Sequence, residues 1–207
     1  MRSEGSNPSP SAYVLLDRTP TEGSLPMVWI IIIVVAALVV WFITIYNGIV
    51  TKNNRCDNAW ETIDAQLQRR NDLVPNLVET VKGYAKHESQ TLQAVTNARA
   101  AVAGATTPEA KMAASDALTG ALKTLFAVSE AYPDLKASEN FQQLQTQLQD
   151  TEDKISYARM SFNDCVLEYN NAIETFPGNI VAGSRFKPRH GFEAANDEIR
   201  EVPSVKF

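Results

Sequence analysis

Along the chain, hydrophobic positions first run together and then fall into a helical rhythm. From Met27 to Ile45 the residues MVWIIIIVVAALVVWFITI carry no charge. At a rise of about 1.5 Å per residue, this run approaches the roughly 30 Å hydrocarbon thickness of a bilayer. Trp29, Trp41 and Tyr46 stand near its ends, where amphipathic rings favour the membrane interface. Burying it in a soluble core would require apolar surface on every side, and the rest of the chain has no comparable run. The pattern predicts a single transmembrane helix over 27–46. Residues 1–26, rich in Ser, Pro and Gly and without a sustained period, are predicted to be a disordered tail. A cleaved signal peptide fits poorly, because that tail carries Glu4, Asp17 and Glu22 and lacks a basic n-region.

From residue 47 to 177 the pattern is helical almost throughout, and no run of alternating β-branched residues suggests a sheet. A first helix places Val50, Trp60, Ile63 and Leu67 on one stripe. It is expected to end near Arg69 and Arg70, whose cations suit the negative end of a helix dipole. Pro75 then decides the architecture. With Asp72 as an N-cap, Pro75 falls in the first turn of a second helix, where its missing N–H costs little. A single helix running through Pro75 would cost on the order of 3 kcal/mol. The stretch RRNDLVP is therefore read as a helix end, a tight turn and a helix start.

The second helix turns Val74, Leu77, Val78, Val81, Tyr84, Ala85, Leu92, Val95 and Val102 inward and ends at Gly104. Gly83 within it costs about 1 kcal/mol against Ala, which a close helix contact could offset. Thr107 and Pro108 pair as N-cap and N1 of a third helix. Its expected inner face is mostly small: Ala110, Ala113, Ala117 and Ala121, then Leu125 and Val128. Tyr132-Pro133 stops it, and Ser138 can cap a long fourth helix. That helix carries Phe141, Leu144, Leu148, Ile155, Ala158, Phe162, Val166, Tyr169, Ile173 and Phe176 inward and is ended by Pro177-Gly178. The predicted fold is all-α: one transmembrane helix followed by an antiparallel up-and-down four-helix bundle of long, coiled-coil-like helices over 47–177. An irregular tail, 178–207, is expected to pack on the bundle or on a partner.

Charge and chemistry narrow the function more than they define it. The chain has 24 acidic and 19 basic side chains and a net charge of -5, which argues against a nucleic-acid partner. Near the apolar run, Arg18 precedes it while Lys52 and Arg55 follow. The positive-inside rule then places the C-terminal domain in the cytoplasm and the N-terminus outside. Cys56 and Cys165 are read as small buried thiols rather than a disulfide or metal pair. His87 and His190 are the only histidines, and neither HExxH nor ExxH spacing occurs, so a di-metal site of the kind helical bundles can hold is disfavoured. No phosphate-binding glycine loop and no GxSxG is present. No catalytic, cofactor-binding or metal-ligating residue is assigned.

Several polar residues do fall on or beside the inward stripes: Asp57, Asp64, Glu79, Glu88, Arg99, Glu152, Arg159, Asn163 and Asn170. Such groups usually flank a core and stay solvated. The sharper alternative is a paired network that fixes helix register, or an interface with neighbouring copies.

The block NLVETVKGYAKHE, preceded by QLQRRNDLVP and followed by TLQAVTNARA, resembles the signature of the LemA family. YNGIVTKNNRCDNAWETIDAQL, ARMSFNDCVLEYNNAIETFPGNIVAG, FKP and FEA extend the resemblance from Tyr46 to Phe207 in the family's order. The GSRFKPRHGFEA block departs from it at Ser184-Arg185 and His190-Gly191. The resemblance implies a bacterial inner-membrane protein with one N-terminal membrane helix, a helical bundle and no catalytic residues. Family members are often encoded near membrane metalloproteases or TPM-domain proteins, and one branch takes part in magnetosome membrane formation. The expectation is a non-enzymatic, membrane-anchored scaffold or membrane-organising protein that forms homo-oligomers in the lipid bilayer. The alternative is an accessory or regulatory subunit of a membrane protease or envelope-stress system, with a protease or TPM-domain protein as partner. A hydrolase built on the carboxylates would require Asp57, Asp64, Glu79 and Glu152 to be free to line an open pocket.

Overall fold

The computed structural model describes residues 24–192, so the expected tail at 1–26 lies, but for its last three residues, outside the described part. The chain divides into two compact units, Met1–Ile43 and Thr44–Phe207. In the first, residues 27 to 43 are helical and every side chain is exposed. They belong to a helix long and apolar enough to cross a membrane, with no protein surface against its apolar window. A helix satisfies its own backbone groups, so it is one of the two structures that can lie in hydrocarbon.

Helix α1 runs from Ser24 to Tyr84. It is followed by α2 (Ser89–Gly104), α3 (Pro108–Ser129), α4 (Pro133–Lys136), α5 (Glu139–Glu174) and α6 (Gly178–Ala182). No strand occurs among the described residues.

The expected turn at RRNDLVP is absent: α1 continues through Pro75 to Tyr84. A proline inside a helix leaves the carbonyl four residues back without its donor. Here that carbonyl belongs to Asn71, and Arg99 of α2 supplies the replacement, its Nε donating to the Asn71 oxygen at 3.1 Å. Asp72 caps nothing; it accepts a bond from Gln68 Nε2 at 2.8 Å on the exposed side of the same helix. Arg69 and Arg70 do not end the helix either, but reach across to Asp150 and Glu152 of α5.

The corner lies instead at residues 85–88. Ala85 N–H closes α1 on Val81 O at 2.8 Å, and Glu88 N–H returns to Ala85 O at 3.2 Å. Glu88 precedes α2 without capping it, because its carboxylate accepts from the Tyr132 hydroxyl at 2.8 Å. Gly83 makes no close helix contact; a Cβ there would meet nothing within 4 Å. Tyr84, expected inward, is exposed.

The start of α3 follows its sequence: Thr107 Oγ1 accepts from Ala110 N–H at 3.2 Å, with Pro108 at N1. Its buried face differs from the expected one. Met112, Ser115, Leu118, Leu122, Leu125 and Ser129 face inward, while Ala110, Ala113 and Ala117 are exposed. Both sets satisfy a spacing of three and four. Full burial of a large apolar side chain is worth about 1.5–3 kcal/mol, which decides in favour of the leucines. On α5 every expected inward residue through Ile173 is buried, whereas Phe176, beyond the helix end, is exposed.

The buried apolar side chains of the second unit form two clusters. One joins Val74, Leu77 and Val81 of α1 to Leu92 and Val95 of α2, Leu118 to Leu125 of α3, and Phe141 to Leu148 of α5. The other joins Ile49, Cys56, Ile63 and Leu67 of α1 to Ile155 through Ile173 of α5, with Met112, Val181 and Ala182. Along α1 and α5 a polar layer separates them: Arg70, Asn71 and Thr151 are buried there, with Ser115 of α3.

Candidate functional site

At the centre of that layer Arg70 is only 1% exposed. It lies on the inward stripe of α1, three residues after Leu67 and four before Val74, so a continuous helix must carry it into the core. Its Nη1 meets Glu152 Oε2 in an ion pair and donates to Thr119 Oγ1 at 2.8 Å. Its Nη2 donates to the Ser115 carbonyl at 2.9 Å and to the Ser115 hydroxyl. Three helices thus converge on one guanidinium. Burial pulls the Arg70 guanidinium below its ordinary value, and the Glu152 carboxylate opposes that shift. Burying a charge costs several kcal/mol unless partners surround it, and here four acceptors meet Nη1 and Nη2 while Nε is buried without a partner. Alongside, Arg159 of α5 pairs with Asp116 of α3. Asp116, Thr119, Lys123, Glu152 and Arg159 line a recess of about 450 Å³ between α3 and α5. Its two cations and two carboxylates balance, which favours neither anions nor metal cations.

The second polar device holds the chain after α6. Asn170 Nδ2 donates to Arg189 O at 2.8 Å, and its Oδ1 accepts from Arg189 N–H at 2.9 Å. Asn163 does the same for Phe192, with 2.8 Å to both O and N–H. Each side-chain amide therefore satisfies both backbone groups of one residue in an irregular segment, groups that would otherwise be costly to bury. The two asparagines are two helical turns apart, about 10.5 Å. Residues 189 and 192 are three residues apart, about 10 Å when extended. Matching these spans lets one segment dock on both amides. Tyr169 adds a third tie, its hydroxyl donating to Lys187 O at 3.0 Å. Burial raises the Tyr169 phenol above its ordinary 10.0, which keeps that donor protonated. Gly191 is required by proximity: a Cβ there would lie 2.7 Å from Asn163 Oδ1.

Side chains finish the attachment of this strap to α1. The Arg189 guanidinium pairs with Asp57 Oδ1 at 2.7 Å, donates to Asn53 Oδ1 at 3.1 Å and lies over the Tyr169 ring. The Phe192 ring stacks on Phe162 at 4.8 Å between centroids and packs on Trp60 at 5.6 Å. Phe186 meets Tyr46 edge-on at 5.6 Å. The tail thus packs on the helices through Phe186, Arg189 and Phe192, with Arg185 over the Tyr46 ring and Gly191 against Asn163, while Ser184 and His190 are exposed and 193–207 lies outside the described residues.

The polar residues singled out in the sequence now have places. Asp57 pairs with Arg189, Asp64 with Lys111 at 2.5 Å, Glu152 with Arg70 and Arg159 with Asp116. Arg99 holds the Asn71 carbonyl, Glu88 holds Tyr132, and Asn163 and Asn170 hold the strap. Glu79 alone pairs only within its own helix, with Lys82 at 3.3 Å. All but that one join separate elements of the chain. Sequence reasoning missed Arg70. The signal was there: Ile63, Leu67, Arg70, Val74, Leu77 and Val81 keep a spacing of four, three, four, three, four with no loss of phase at Pro75. Burial raises the Cys56 thiol above its ordinary 9.0, which keeps it protonated and unreactive.

Comparison with known proteins points to one family. The sequence model of the LemA family matches residues 59–207. Among curated relatives, Protein LemA of Metamycoplasma hominis is 31% identical over 140 residues, covering 66% of this chain and 63% of that protein. The alignment thus spans less than two thirds of that relative's length. Magnetosome protein MamQ of Magnetospirillum gryphiswaldense is 25% identical over 199 residues, covering 82% of this chain and 73% of that protein. Magnetosome protein MamQ 2 of Paramagnetospirillum magneticum is 24% identical over 199 residues. None of these names is that of an enzyme.

Proposed function

The chain belongs to the LemA family, and we propose that it is a membrane-anchored, non-enzymatic scaffold that assembles with copies of itself. On this reading the run from Met27 to Ile45 spans the bilayer and the helices beyond it form an antiparallel four-helix bundle. Pairs between α1 and α5 support the antiparallel sense: Lys52 with Glu168, Arg70 with Glu152 and Thr80 with Asn140, one number rising as the other falls. The excess of Lys52 and Arg55 over Arg18 favours a cytoplasmic bundle. The relatives named magnetosome proteins fit a role in organising a membrane. A carboxylate hydrolase loses its groups to internal pairing, since Asp57, Asp64 and Glu152 are engaged by cations.

The observation that carries self-association is the outer face of α5. Tyr157, Met160 and Leu167 are exposed there, opposite the buried stripe of Ile155, Phe162 and Val166. On an α-helix, positions 157, 160 and 167 fall within one 80° sector at about 100° per residue. Three large apolar side chains on one outward face suit a helix–helix contact with a second copy. Extraction in mild detergent followed by mass measurement is expected to give an integral multiple of the chain, and Y157E/M160E/L167E is expected to reduce it to one copy. A strictly monomeric wild-type protein that recovers no partner on co-purification would overturn the scaffold. Recovery of a membrane protease with a monomer would replace it with the accessory-subunit reading.

A further inference from the structure

The corner between α5 and the strap exposes two large apolar side chains to no protein surface. Phe176 is 74% exposed and Ile180 69%. Both stand in a segment whose other apolar residues are buried: Val181 and Ala182 pack in the cluster that contains Ile49 and is flanked by Ile45 and Tyr46. The corner is tied at this level. A Cβ on Gly178 would come within 3.9 Å of Ile49 Cδ1, and the Phe186 ring meets Tyr46. Exposed cations follow immediately. The Arg185 guanidinium lies over the Tyr46 ring at 5.8 Å, and neither Arg185 nor Lys187 makes an ion pair among the described residues.

Chain continuity gives this corner its surroundings. Ile45 is the last residue of the apolar run, and Ile49 follows it by one helical turn, about 6 Å along the axis. The polar layer on each side of a bilayer's hydrocarbon is about 5–8 Å thick. With Met27 to Ile45 spanning the bilayer, chain length alone brings Tyr46 and Ile49 to headgroup level, and the corner is tied to these two residues. At that depth an exposed Phe and Ile beside Arg and Lys match the chemistry of an interfacial anchor, with apolar groups entering the acyl boundary and cations meeting phosphates.

We propose that the α5–α6 corner, through Phe176, Ile180, Arg185 and Lys187, docks on the bilayer surface and selects anionic lipid. This rests on the reading that Met27 to Ile45 spans the membrane. The bundle would then be held to the membrane at two points, the spanning helix and this foot, which restricts its swivel about the anchor.

Spin labels on the full-length protein in nanodiscs test this. Cysteines are placed singly by I180C, K86C and V35C, each with Cys165→Ser, leaving buried Cys56 in place. The discs contain phosphatidylcholine alone or with phosphatidylglycerol, and accessibility to oxygen is compared with accessibility to a water-soluble nickel chelate. The label at position 180 is expected to show a several-fold higher oxygen-to-nickel ratio than the label at 86, higher still with phosphatidylglycerol. R185E/K187E is expected to abolish that lipid dependence while leaving helicity unchanged. If the label at 35 is buried while those at 180 and 86 are equally aqueous, the foot is overturned and the span stands. An aqueous label at 35 overturns both. Immersion at 180 that ignores lipid charge and the R185E/K187E change overturns the selection of anionic lipid. Dipolar broadening at 180 that persists in Y157E/M160E/L167E, with no oxygen excess there, would mean that a second copy covers the corner, and would overturn the proposal.

Discussion

The two halves of the helical domain share α1 and α5 but are closed by different means. Beyond Arg70, α2 and α3 lay leucines and valines over the long helices, and the core there is an apolar cluster. Before Arg70, α3 and α6 give only Met112, Val181 and Ala182, and the Phe186 and Phe192 rings come from a strap without regular structure, held through its backbone by Asn163 and Asn170. A helix arrives with its backbone groups already satisfied and needs only an apolar stripe to bind. A strap arrives with every N–H and C=O unpaired and must be met by side chains that accept and donate. Polar residues beside a core stripe therefore mark where irregular chain is seated as readily as where chemistry is done.

Separate substitutions should break the two halves differently, and the largest effect is expected between them. E152A leaves the Arg70 guanidinium buried without its carboxylate, at a cost of about 3–5 kcal/mol, whereas R70M, which removes the charge itself, should cost much less. Denaturant unfolding of both variants checks the order, and equal losses would mean that Arg70 contributes shape alone. P75A restores an N–H within α1 and is expected to stabilise by up to about 3 kcal/mol. N170A should remove two bonds to the strap, costing about 1–3 kcal/mol. Hydrogen exchange should then rise at 185–192 while α2 and α3 stay protected, and uniform exchange would mean the two halves do not open separately. R99M should cost about 1 kcal/mol, and less in a P75A background, where Asn71 O has its helical donor back. A double-mutant cycle with no coupling would sink the account of Pro75.

That account also explains what could be read in advance. The apolar run, the Thr107-Pro108 start of α3 and the stripe of α5 were legible, because each depends on local chemistry or on a long unbroken period. Pro75 was misjudged because its local cost was weighed without Arg99, which lies 28 positions away. The uninterrupted phase from Ile63 to Val81 was the better witness, since a turn would have shifted it. The face of α3 was lost to its alanines, which fit either an inner or an outer row. The roles of Asn163 and Asn170 are not legible in the sequence, since an amide that pairs with extended backbone leaves no periodic trace.

Arg99 has a consequence for the order of assembly. During synthesis Pro75 emerges before Arg99, so the carbonyl of Asn71 has no protein donor until α2 folds back. Until then α1 contains a compliant joint between its membrane-side length and its far end. Docking of α2 supplies the missing bond and stiffens that joint. The last stretch of the helix thus takes its stiffness from a neighbour, and loosening α2 would unlock an elbow nine residues before Tyr84.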